Sequence, residues 1–246
     1  MLRYAEDVAR MNRLRLAYER MVPAPLDPRQ PLLPRAQVRE ATLLFTDVRG
    51  FTALAERLQR RPGLLLSILN EHFDVAVRAV TRCGGTIEKF LGDGLFASFG
   101  AWAPQADHPA RGLAAAIGVV GANEGLNRRR ASIWGFRLEV GVGVCTGRVV
   151  VGPIGTADRY ELGIIGDPVN VAARLVAQSG PAEVLLATAT YRAVARNVAA
   201  DLLGNRLVRG RMGRVGLYRL RLGTEAEGAP ATLPQSPNAR EGASAP

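Results

Sequence analysis

Apolar and polar residues recur along the chain with two different periods, and the switches between them mark out the elements. Residues 3–21 place Tyr4, Val8, Met11, Leu14, Ala17 and Met21 at steps of three and four. That spacing predicts an amphipathic helix, ended by Pro23 and Pro25, which either packs on its own domain or forms a short dimerising coil. Pro23–Pro34 reads as an irregular connector. From Val38 a β-rich run, REATLLFTD, precedes helical patterns over Leu54–Leu58 and Leu64–Val80. Two strands follow, GTIEKFLGD and GLFASFG, joined at a Gly-Asp-Gly turn.

The second half repeats this alternation. A helix is predicted over roughly Asp107–Asn127, with Pro109 in its first turn, where the missing N–H costs nothing. The strands FRLEVGVGVCTG and RVVVG, a glycine-rich arm through Gly155 and a strand near Tyr160–Ile165 come next. Asp167 as N-cap and Pro168 as first helical residue open a helix over DPVNVAARL. EVLLA, a helix near Thr188–Arg196 and strands around Asn205–Val208 and Val215–Arg221 complete the pattern. Strands joined by short turns and interleaved with helices imply an α/β or α+β sandwich on a mostly antiparallel sheet. The expected organisation is a helix and connector over 1–37, one domain over 38–222, and a disordered tail over 223–246, where Ala, Gly, Pro, Ser and Glu leave little to bury.

Composition narrows the function classes. With 48% hydrophobic and 22% charged residues, the 246-residue chain can bury one full core. The longest weakly apolar run, Gly112–Ala122, is far short of the roughly 18–20 residues that span a bilayer, and arginines stand where a signal peptide would be apolar. Cys83 and Cys145 fit reduced thiols, so a cytoplasmic location is expected. A net charge of +10 suits a nucleic acid, an anionic membrane or an anionic small substrate. The basic runs Arg128–Arg130 and Arg206–Arg221 hold a single aromatic, Tyr218, and so lack the interleaved stacking platforms of a single-strand binder; no specific nucleic acid is expected as a partner. Of 32 basic residues, 31 are arginine and one is Lys89, which makes that position the informative exception.

Four residues form candidate chemistry. Asp47 ends an apolar strand and precedes a helix start, a place suited to a metal on one side and a polyphosphate on the other, or to a simple cap. Asp93 lies at the hairpin tip, where Asp-Gly also serves as a plain turn. Were the two strands neighbours, the carboxylates would suit two-metal phosphoryl chemistry. Asn170 and Arg174 are four apart and share one helix face, either a solvated polar pair or, on a helix otherwise apolar, an amide and a guanidinium awaiting an anion.

The stretches LLFTDVRGFTALAERL, GGTIEKFLGDGLFASFG and GPIGTADRYELGIIGDPVNVAARL resemble the class III nucleotide cyclase catalytic domain, in the family's order and spacing from about Arg39 to Leu220. The resemblance implies a ferredoxin-like βαββαβ sandwich with extra strands, working as a head-to-tail homodimer with shared sites. It places Asp47 and Asp93 on the metal-binding aspartates, for two Mg2+ or Mn2+ ions, with the Val48 carbonyl assisting. Backbone amides of Arg49, Gly50, Phe51 and Thr52 would cradle phosphates. Asn170 falls on the ribose-orienting position, Arg174 on the transition-state arginine and Lys89 on the adenine-selecting lysine. The implied reaction is ATP to 3',5'-cyclic AMP and pyrophosphate. Two departures stand out: Gly163 occupies the second purine-selecting position, which keeps GTP open as a substrate, and Arg209 stands where the family has a triphosphate lysine. No second sensor domain is recognisable in the sequence, so the regulatory input is hidden, and an upstream regulatory protein is one expected candidate partner.

Overall fold

A computed structural model describes residues 35–156, 160–196, 198–207 and 214–222. The expected helix over 3–21, the tail from 223 and Arg209 lie outside them. The elements run β1 (Gln37–Val48), α1 (Phe51–Arg57), α2 (Pro62–Arg82), β2 (Thr86–Leu91), β3 (Gly94–Phe99), α3 (His108–Trp134), β4 (Val140–Gly155), β5 (Tyr160–Ile165), α4 (Asp167–Gln178), β6 (Val184–Ala187), α5 (Thr188–Val194), β7 (Ala200–Leu207) and β8 (Arg214–Leu220).

The strands form one sheet in the order β2-β3-β1-β4-β6-β8-β7, with β5 paired to the far end of β4. Its β4-β1-β3-β2 portion is antiparallel throughout, the arrangement expected of a ferredoxin-like core. Central β1 is covered on both faces, which is why ATLLFT reads as a continuous apolar run rather than an alternating one. Leu44 points into a layer with Ala76, Val80, Leu113 and Val119 of α2 and α3. Its neighbours Leu43 and Phe45 point into the opposite layer, with Val171, Ala172 and Leu175 of α4.

Three expectations are corrected. The predicted pair FRLEVGVGVCTG and RVVVG is one strand, β4, because Gly147 is a contact point rather than a turn: a Cβ there would lie 2.8 Å from Cγ of Pro168. Helix α3 continues past Asn127 to Trp134, which puts Arg128–Arg130 on a helix; Arg130 Nε donates to Glu71 (2.7 Å). Asp167 is the first residue of α4 and not its cap; Gly166 takes the cap position without a side-chain bond.

Candidate active site

Register brings the two aspartates together. β1 pairs antiparallel with β3 through Thr46 and Leu95, so the last residues of β1 lie beside the turn that opens β3. Asp93, in that turn, accepts a hydrogen bond at Oδ2 from the backbone N–H of Val48 (3.2 Å). Its carboxylate is thereby fixed against the residue that follows Asp47. Gly94 permits the approach, since a Cβ there would meet the Thr46 carbonyl at 2.5 Å.

Arg49 covers Asp47. One guanidinium nitrogen pairs with Oδ2 of Asp47 and the other donates to the Ser179 carbonyl (3.3 Å). Its Nε is buried without a partner, and burial pushes its pKa down against the field of Asp93. Two strand-end carboxylates and a main-chain carbonyl at Val48 are hard oxygen donors of the kind Mg2+ and Mn2+ take, with phosphate and water supplying the rest. No cluster of three or more acidic, histidine or cysteine ligands exists among the described residues. At the start of α1, Gly50 adopts the left-handed φ of +71° and no side chain caps the helix, so Phe51 and Thr52 enter it without a competing acceptor.

The loop carrying Asp47 is braced from behind. The Arg49 N–H donates to the Glu139 carbonyl (2.8 Å), and the adjoining Leu138 carbonyl accepts from the amides of Asn123 (2.5 Å) and Asn127 (2.9 Å). With its amide so used, Asn123 accepts at Oδ1 from Nδ1 of His72 (3.0 Å). Burial pushes the His72 pKa down, against the Asn123 bond and the field of Asp93, so a neutral ring lies behind the site.

The other expected residues gather elsewhere. Lys89 turns away from Asp93 toward β5, where its ammonium meets both carboxylate oxygens of Glu161 at 3.0 and 3.1 Å. Gly163 lies two residues on, against Ile154. On α4, Pro168, Val171, Ala172, Leu175 and Val176 are buried, whereas Asn170 is exposed and Arg174 half-buried. The helix is amphipathic rather than covered all round, and its polar pair faces outward. A cleft of about 830 Å3 opens beside the start of α4, but Asp47, Asp93, Lys89 and Arg174 do not line it.

Sequence reasoning missed two acidic residues. Glu161 carries no motif signal except its position on the same strand face as Gly163. Glu88 is the extra residue of a bulge between Ile87 and Lys89, and its Oε1 accepts from Ser98 Oγ and from Trp102 Nε1 (2.8 Å).

The adenylate and guanylate cyclase catalytic domain family matches residues 33–221. An adenylate cyclase of Anabaena cylindrica is 33% identical over 144 residues, covering 57% of this chain and 27% of that protein. Adenylate cyclase 1 of Rhizobium meliloti is 34% identical over 139 residues, 56% of this chain and 20% of its own length. The chain thus matches under a third of these relatives. Among solved structures, the adenylyl cyclase CyaB from P. aeruginosa superposes with a TM-score of 0.70 at 29% identity, covering 79% of this chain and all of that one. The guanylyl cyclase Cya2 superposes with a TM-score of 0.69 at 31% identity, covering 78% and 96%.

Proposed function

Since the chain belongs to the adenylate and guanylate cyclase catalytic domain family, we propose that it is an adenylate cyclase, forming 3',5'-cyclic AMP and pyrophosphate from ATP at sites shared between two copies. The observation that carries this reading is the juxtaposition of Asp47 and Asp93, tied by the Val48 N–H to Asp93 contact.

Asp47, Asp93 and the Val48 carbonyl would hold two divalent ions, Mg2+ or Mn2+. When bound, such ions acidify the ribose 3'-hydroxyl and offset charge on the triphosphate. The backbone at Arg49, Gly50, Phe51 and Thr52 receives phosphate oxygens, and Arg49 swings from Asp47 toward the same anion. Asn170 orients the ribose so that the 3'-oxygen lies in line with the α-phosphorus, and Arg174 donates to the oxygens on which charge builds. Lys89 donates to a ring nitrogen of adenine; an ammonium reaches one acceptor where a guanidinium would leave donors unpaired. Arg209, outside the described residues, keeps a positive charge for the triphosphate.

The assembly is a head-to-tail homodimer. Within one chain Asp93 turns to the end of β1 while Lys89 turns to β5, and Asn170 and Arg174 face outward. Phe90, Leu91, Val150, Ile154, Tyr160 and Ile165 expose apolar surface on the same hairpin and arm. A second copy would bury that surface and bring one chain's aspartates to the other's Asn170 and Arg174. Gly163 favours a second reading, a guanylate or unselective cyclase, because no side chain there selects the base.

Product formation decides between them. Purified protein with Mn2+ or Mg2+ and ATP or GTP should yield cyclic AMP from ATP. Asp93→Ala should cut turnover by about 100-fold or more, the loss of a few kcal/mol of transition-state stabilisation. Lys89→Glu should lower ATP turnover and raise GTP turnover. Cyclic GMP as the main product would favour the second reading, and no cyclic nucleotide from a metal-loaded dimer would refute both.

A further inference from the structure

Lys89 and Glu161 are 51% and 62% exposed, so their ion pair contributes at most about 1 kcal/mol to the fold. It nevertheless ties the edge strand β2 to β5, and both carboxylate oxygens contact one ammonium. A pair so weak in stability and so specific in geometry readily shares its contacts with a ligand that offers each half a partner.

The face of β5 that carries Glu161 also carries Gly163, two residues further on. Position 163 has no room for a side chain as the chain stands: a Cβ there would lie 2.3 Å from Cδ1 and 3.1 Å from Cγ1 of Ile154. The acidic group that meets Lys89 therefore comes from one pleat repeat away, about 7 Å along the strand. Glutamate's extra methylene, relative to aspartate, helps span that displacement.

We propose that Glu161 is a specificity-determining residue for the base, in place of the side chain missing at Gly163; the inference rests on the adenylate cyclase reading. Lys89 donates to the adenine ring nitrogen on the Watson–Crick edge while one oxygen of Glu161 accepts from the neighbouring exocyclic amino group. The second oxygen stays on Lys89, so adenine inserts without breaking the pair. Guanine presents two adjacent donors on that edge, and satisfying both takes both oxygens from the ammonium and leaves it in contact with the base alone. Adenine is thereby the base that preserves the arrangement seen here.

The test is equilibrium displacement of a fluorescent ATP analogue by ATP and by GTP from the Ca2+-loaded protein, run beside the product assay on wild type, Glu161→Ala and Glu161→Gln. Glu161→Ala should lose about tenfold or more of the ATP-over-GTP preference, the effect of one hydrogen bond to a charged group. Glu161→Gln keeps an acceptor oxygen for the amino group but loses the oxygen that stays on Lys89, so it should lose less of the preference than Glu161→Ala, about threefold. Equal loss in both variants would reduce Glu161 to a counter-ion for Lys89 and overturn the proposal. An unchanged preference in Glu161→Ala, or no preference in wild type, would overturn it too, while cyclic AMP formation by wild type would leave the underlying reading standing. A wild type that binds no nucleotide and makes no product would overturn both.

Discussion

Glu88 shows how a single residue beside the site sets a dependence on pH. Burial raises its pKa from the ordinary 4.5 to about 7, against the hydrogen bonds from Ser98 and Trp102. A carboxyl raised in this way binds its proton more tightly folded than unfolded. Its contribution to stability is therefore full below the unfolded value, falls as pH rises through the window from 4.5 to about 7, and is gone above it. Between about pH 5.5 and about pH 8 the loss is on the order of 2 kcal/mol. Urea unfolding at those two values should show wild type weaker at the higher pH and Glu88→Gln nearly level; an equal slope in the variant would assign the effect to other groups. Glu88 was invisible in the sequence because burial follows from the bulge at Ile87/Lys89 and from Trp102 folding over it. Asp47, Asp93, Asn170 and Arg174, by contrast, were legible from their places at strand ends, a turn and one helix face. The adjacency of Asp47 and Asp93 was not, because register is a property of the paired strands and not of either one.

At the scale of elements, the glycines of β4 decide how close α4 can come. A Cβ at Gly143 would lie 2.5 Å from the Ala172 carbonyl and from the Val176 nitrogen, both backbone atoms, and one at Gly147 would meet Pro168. Helix α4, which carries Asn170 and Arg174, therefore rests directly on the strand. Gly143→Ala should destabilise the fold by about 2–3 kcal/mol, a fall of roughly 5–10 °C in Tm, with cyclase activity falling alongside as the helix is pushed outward. Exposed Gly121, inside α3 with nothing within 4 Å of a built Cβ, supplies the opposite case. Gly121→Ala should raise stability by about 0.5–1 kcal/mol through the helix propensity gained. Differential scanning calorimetry on both variants checks the pair, and an unaffected Gly143→Ala would mean that α4 does not need its present seat. The sequence pattern located both helices and most strands. It split β4 in two because a glycine followed by arginine looks like a turn until the helix that packs on it is known.

At the scale of the whole molecule, the proposed site residues of one chain fall on separate elements. Asp47 and Asp93 are tied together at the end of β1, whereas Asn170 and Arg174 project from the open face of α4 and Lys89 reaches toward β5. Apolar side chains are exposed on the β2–β3 hairpin and the β4–β5 arm, and the proposed homodimer would cover them. Complementation tests this directly. Asp93→Ala and Arg174→Ala should each be nearly inactive as homodimers, since each defect recurs in both sites. After random subunit exchange, half of the dimers are mixed, and each mixed dimer has one site carrying both defects and one carrying neither. Activity should therefore return to about a quarter of wild type, with wild-type KM, and should fall on dilution as dimers separate. If all the site residues acted within a single chain, every site in the mixture would keep one defect and no activity would return at any mixing ratio.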